Sequence, residues 1–211
     1  GYTYQWNDAG TAATRVTGGL IRQVASQTWI YPTEDECLQC HTAVAGRTLG
    51  PELAQLNGSL TYATTGITAN QLATLEHIDV LAEALPGPPD TLPALVDPGD
   101  GGAPLGERAR AWLHTNCAQC HQPGGPTPSS LDLRATTALA ATNACDVVPQ
   151  SGDLGIADAR LVAPGDPDRS VLLARVNRRD GNGMPPVGSS RVDDDGVTLL
   201  ADWIIALPGC Q

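Results

Sequence analysis

Two short stretches constrain this chain more than anything else in it: Cys37-Leu38-Gln39-Cys40-His41, and Cys117-Ala118-Gln119-Cys120-His121, which begins 80 residues later. Two thiols separated by two residues and followed at once by a histidine form the attachment pattern of c-type haem. The thiols add to the two vinyl groups of one porphyrin, and the adjacent imidazole lies under the iron as its proximal ligand. A zinc ribbon also uses Cys-x-x-Cys pairs, but places them roughly 15–20 residues apart. Here Cys40 and Cys117 are much further apart, and each pair runs directly into a histidine. A disulfide within each pair would leave both histidines unexplained. The pattern therefore predicts two covalent haem c groups, held by Cys37, Cys40, Cys117 and Cys120, with His41 and His121 on the irons.

Two irons need four axial ligands if both are six-coordinate. Beyond the two proximal histidines the chain offers His77, His114 and a single methionine, Met184. Met184 stands between Gly183 and Pro185-Pro186, where prolines stiffen the loop that carries the thioether. It is expected to complete the second haem, against the alternative of a core or surface methionine. His77 is expected to complete the first, since it lies in the same half of the chain as His41. His114, three residues before the second hook, is the alternative and would bridge the two halves. An open iron or a residue from a neighbouring subunit remains a further outcome. Two cysteines are left over, Cys145 and Cys210. An even remainder predicts one disulfide and an oxidising compartment.

Composition narrows the setting. At 211 residues the chain is long enough for one large domain or two small ones. It is 41% hydrophobic but contains no Phe, so a bulky apolar cofactor would help to fill its core. A net charge of −11 argues against nucleic acid and anionic membrane surfaces as partners, and suits a partner with a basic face. No apolar run reaches membrane-span length, which predicts no membrane span. The opening GYTYQWNDAG has neither a basic nor an apolar leader segment. The expectation is a periplasmic or extracellular protein whose signal peptide has already been removed.

Residues 1–32 read as a β-rich segment, with β-branched and aromatic residues in YTYQW and QTWIY separated by turn residues. Thr33 with Glu36 fits a helix capping box, placing Cys37 near the start of a short helix. Residues 69–85 read as a helix with Leu72, Leu75, Val80 and Leu85 on one side. The Pro- and Gly-rich stretch 86–104 reads as the linker between a first haem domain, 33–100, and a second, 101–211. Helices are expected over 105–117 and from Asp193 to Leu207, the latter capped by the cluster Asp193-Asp194-Asp195. Arg169, Arg175, Arg178 and Arg179 can pair with haem propionates or form an exposed basic face. Asn57-Gly58-Ser59 matches a glycosylation sequon, with an unmodified asparagine as the favoured reading.

These features together resemble the c-type cytochromes over most of residues 33–211. GPELAQL after the first hook is similar to the Gly-Pro-x-Leu segment of small cytochromes c, in which the proline carbonyl, here that of Pro51, orients the proximal histidine. The second half resembles the family in its helix leading into the hook, its methionine in a proline loop, and its closing amphipathic helix with Trp203. LVAPGDPDRSVLLARV followed by MPP resembles haem segments of bacterial secreted cytochromes. Gly66-Ile67-Thr68 is similar to the start of the family helix that lines the distal side of the haem. This likeness would place His77 on an inner face beside Ile78 and Leu81. The resemblance implies a mainly α fold of two cytochrome c-like domains, built of short helices and long loops behind a small N-terminal β segment. It implies electron transfer with redox partner proteins rather than catalysis. Two alternatives stand beside it: a subunit that self-assembles into extracellular conducting filaments, and a di-haem peroxidase-like enzyme with one open iron.

Overall fold

The computed structural model describes residues 1–211. Its N-terminus is built from two hairpins. Strand β1 (Thr3–Trp6) pairs antiparallel with β2 (Ala13–Val16), and β3 (Leu20–Val24) with β4 (Gln27–Tyr31). Neither joins a larger sheet. Helix α1 (Glu34–Cys40) then carries the first hook. Its start is fixed by both halves of a capping box: Glu36 N–H donates to Thr33 Oγ1 at 3.1 Å, and Thr33 N–H to Glu36 Oε2 at 2.8 Å. A one-turn helix α2 (Leu53–Leu56), a third hairpin of β5 (Ser59–Thr61) and β6 (Thr68–Asn70), and helix α3 (Gln71–His77) complete the first half.

Helix α3 stops eight residues short of the expected 69–85. Asp79 takes a left-handed conformation, φ 56°, and two bonds close the end: Val80 N–H to Leu75 O and Asp79 N–H to Glu76 O, each 3.1 Å. This is the Schellman arrangement, usually built on glycine. An aspartate in that position gives no breaker signal in the sequence, so the apolar period reads on through Val80 and Leu85. The expected family-like helix start is also absent: Thr68 lies in β6 and Ile67 is exposed.

The second half is organised around α4 (Leu105–Cys117) and α6 (Asp194–Ala206), with α5 (Val171–Val176) against α6. Ala109 and Leu113 of α4 meet Leu199, Leu200, Trp203 and Ile204 of α6 in the main hydrophobic cluster. Close approach depends on Gly196, where a Cβ would stand 2.5 Å from the Trp112 ring. Trp112 Nε1–H donates to Asp193, whose other carboxylate oxygen caps α6 through Gly196 N–H. Cys145 and Cys210 are bonded, with Cα atoms 5.5 Å apart, fastening the chain beyond α6 to the loop region.

A mainly α architecture is not what the chain adopts. It is 28% helical and 13% strand, with six short helices and three small two-stranded sheets. The cause lies in composition: 17 prolines and 23 glycines interrupt the helical stretches. The Pro-rich stretch 86–104 is not a loose connection either. Buried Asn57 donates through Nδ2 to the carbonyls of Pro89, Leu92 and Pro93, and accepts from Asn70. The sequon asparagine is thus a structural staple. No helix is long and apolar enough to cross a membrane.

Candidate functional site: a cavity between the second hook and the methionine loop

The two hooks share one local geometry. His41 N–H donates to Cys37 O at 3.0 Å, and His121 N–H to Cys117 O at 2.9 Å. In each, one turn of backbone returns the histidine amide to the carbonyl of the first cysteine. Glycine then permits the chain to leave the second hook: a Cβ at Gly125 would lie 2.1 Å from Cys120 O.

Around the second hook this turn opens on a cavity of about 480 Å³. Cys117, Cys120, His121 and Met184 all line it, although Met184 comes from a distant loop. Its walls are apolar, with Leu131 and Leu133 from the segment after the hook and Val171, Leu172 and Val176 from α5. Arg175 is the one arginine in the lining, and no carboxylate is present. A largely apolar ligand with an anionic edge matches that distribution.

Met184 is held in place by backbone geometry and two arginines. Met184 N–H donates to Arg175 O at 2.9 Å, and a Cβ on the preceding Gly183 would fall 2.4 Å from Arg178 O. Arg179 Nη1 donates to Met184 O at 3.0 Å while its Nε reaches Ser189 Oγ and Arg191 O. Arg175 ties Asn182 O to Ser151 O, and Arg169 and Arg178 bond Asp158 O and Ala174 O. The arginine group is therefore neither a free basic face nor a row of idle cations. Its members brace loops, a role that residue type and spacing alone do not signal.

His121 is the least satisfied polar group near the cavity. Its Nδ1 is buried without a hydrogen-bond partner. Burial also holds its pKa below the ordinary imidazole value, favouring the neutral ring that binds metals. A buried imidazole left unbonded is costly unless something else engages the ring. An iron bound at this ring would engage one of its two nitrogens. The residues lining the cavity fit a haem, which Cys117 and Cys120 would hold and His121 and Met184 would ligate. Half-buried Cys117 is pushed up to about 12 by desolvation.

The first hook is more open. His41 is exposed, and its Nδ1 lies 2.7 Å from Arg47 O. That contact fixes the Nδ1–H tautomer and leaves Nε2 available, the usual second-sphere arrangement of a ligating histidine. The orienting carbonyl is that of Arg47, not of Pro51 as the family likeness implied. His77 is exposed at the end of α3. It stands about 140° around the helix from fully buried Leu72. The inner face carries Leu72, and Ile78 is exposed, so the expected packing of Ile78 beside an inward His77 is not found. His114 is fully engaged: Ala135 N–H donates to Nδ1 at 3.2 Å, so Nε2 carries the proton and donates to Glu52 at 2.9 Å.

The hooks themselves touch. Cys120 Sγ lies 3.7 Å from Cys40 Sγ and 3.5 Å from Gln39 O, and both Gln39 and Cys40 line the cavity of the second hook. Donation from Cys120, with His41 nearby, draws the Cys40 thiol down to about 6, while the same contact and burial push Cys120 upward. No group of three or more His, Cys, Asp or Glu side chains is assembled to hold a bare ion. No protein family, curated protein or solved structure matches the chain.

Proposed function

We propose that this chain is an electron-transfer protein carrying two covalently attached c-type haems, working outside the cytoplasm with redox partner proteins. The observation that carries the reading is the apolar cavity that Cys117, Cys120, His121 and Met184 line together. Haem supplies a one-electron iron couple when bound. The chain's own contribution is position and environment. Cys117 and Cys120 anchor the group. Half-buried His121 presents a neutral ring, and braced Met184 presents a thioether, the ligand that raises a haem potential relative to a second imidazole. Cys37, Cys40 and His41 hold the first haem. His77 is its proposed distal ligand in preference to His114, which has both nitrogens engaged by Ala135 and Glu52; an open iron or a residue of a neighbouring subunit is the alternative.

Intact-mass analysis of the acid-denatured protein is expected to give the chain plus two haems; the mass of the bare chain would overturn the reading. Met184→Ala is expected to abolish the weak near-infrared sulfur-to-iron band and lower the potential of one haem only. Absence of that band from the wild type would remove Met184 as a ligand. His77→Ala should give a new high-spin ferric signal, and His114→Ala should not.

A second reading, self-assembly into filaments, is favoured by the N-terminal hairpins. Tyr2, just before β1, and Tyr4 and Trp6 within it are all exposed, as are Ile21 and Trp29. An exposed aromatic row on a two-stranded sheet is a surface for association. Size-exclusion chromatography with negative-stain microscopy decides it: a monomer at all concentrations excludes assembly.

A further inference from the structure

The two hooks lie far apart in sequence yet present one thiol each to the other. Cys40 belongs to α1 and Cys120 to the turn after α4, and their sulfurs are 3.7 Å apart. A disulfide needs about 2.05 Å between sulfurs, so closure asks the two side chains to close the remaining gap. The geometry points to a covalent modification site: we infer that Cys40 and Cys120 form a disulfide linking the two hooks in the chain before haem is added.

The chemistry is thiol–disulfide exchange with a disulfide oxidant, either a small molecule such as oxidised glutathione or a dithiol oxidoreductase in its disulfide form. One cysteine sulfur attacks the oxidant and releases its first thiol, giving a mixed disulfide. The other cysteine sulfur then displaces the second thiol. One protein S–S bond forms, one oxidant S–S bond breaks, and two electrons pass to the oxidant. The two cysteine protons leave with the two released thiols. The compartment that would oxidise Cys145 and Cys210 would supply such an oxidant.

The consequence for loading rests on the proposed function. Each hook needs both of its thiols to make two thioethers. One Cys40–Cys120 bond removes a thiol from each, so a single oxidation blocks both hooks and a single reduction releases both. This differs from oxidation within each hook, where Cys37–Cys40 and Cys117–Cys120 would form and break separately.

The test uses the full chain, exported in cells lacking haem-attachment enzymes and treated with oxidised glutathione. Free thiols are then alkylated, and the digest is mapped by mass spectrometry without reductant. The expected product joins the peptide carrying Cys40 to that carrying Cys120, in about tenfold excess over the same chain oxidised in concentrated guanidinium, because folding sets the effective thiol concentration. The double variant Cys37→Ser/Cys117→Ser should retain the crosslink, and Cys40→Ser/Cys120→Ser should lose it. Hooks closed on themselves, four alkylated cysteines, or a yield no higher than in guanidinium would each overturn the inference. A mature protein without haem, but with the crosslink, would remove the proposed function and leave this inference standing. Two haems on the mature chain with no crosslink in its precursor would do the reverse.

Discussion

Residues 1–104 and residues 105–211 each carry one hook, yet they are physically different objects. Of the 24 buried residues, only Asn57 and Leu72 lie in the first region. Of the exposed large apolar side chains, only Val148 and Ile205 lie in the second. The second region has paid its entropy cost with a packed α4–α6 core and a disulfide. The first is three hairpins and three short helices with its apolar residues outside, and an isolated two-stranded hairpin is marginal in water. One Cys-x-x-Cys-His stretch therefore sits on a packed scaffold and its twin on a surface with little cover. A haem, a neighbouring chain, or both would supply that cover.

The largest effect that separates the regions should come from the disulfide. Cys145→Ser/Cys210→Ser opens a link spanning 65 residues of sequence. It is expected to cost on the order of 4 kcal/mol in urea unfolding. Trp112 and Trp203 fluorescence should report the loss, since both rings pack in the second region. If the first region melts in the same step and by the same amount, the contrast is wrong and the chain is one cooperative unit.

Glycines give the next comparison. Gly196→Val drives a side chain into the Trp112 ring and is expected to cost about 3 kcal/mol in thermal or urea unfolding. Gly58→Ala, in the first region, meets nothing within 4 Å and should change stability by less than about 0.5 kcal/mol. Equal losses at the two sites would show that the first region is as tightly packed as the second.

How much of this could be read from the sequence follows the same division. Helix α4 lies at residues 105–117 as its pattern indicates, and the cap at Asp193 opens α6, because amphipathic period and capping chemistry are local signals. Thr33 and Glu36 reveal the start of α1 for the same reason. The end of α3 was illegible because Asp79 adopts a conformation usually left to glycine. The mainly α expectation failed in the first region, where no core forces the apolar residues of 69–85 into one helix. At the site, Cys117, Cys120, His121 and Met184 were legible as chemistry. The bracing by Arg175 and Arg179, the Arg47 carbonyl on His41, and the meeting of Cys40 with Cys120 were not, because each depends on a loop path.

Acid should reach the second region through Asp132. This buried carboxylate accepts from Arg134 and Thr137, and the Arg134 contact lowers its pKa from 3.8 to about 2. A depressed folded-state value contributes stability that is present above the ordinary carboxylate pKa and is lost as pH falls through the folded one. The contribution is roughly 2 kcal/mol, fading between about pH 4 and about pH 2. Asp132→Asn should be less stable than wild type at neutral pH, and the gap should close on acidification when unfolding is followed by Trp203. A gap independent of pH would assign the loss to packing instead of charge.

The smallest effect tests the seam itself. His114 in α4 donates to Glu52, just before α2, and so ties the two regions together. Its side chain is largely covered, whereas the Glu52 side chain is 55% exposed. Solvent screening should hold the coupling between them to about 0.5 kcal/mol. The single losses need not match: Glu52→Ala removes one acceptor at the surface, while His114→Ala also strands the Ala135 N–H that its Nδ1 receives. His114→Ala is therefore expected to cost about 1 kcal/mol more than Glu52→Ala. A double-mutant cycle followed by urea unfolding isolates the shared part. A coupling near zero, with His114→Ala still costly, would mean that the histidine serves only the second region. The seam would then rest on the contacts of Cys120 with Gln39 and Cys40, and of Ser190 with Thr28.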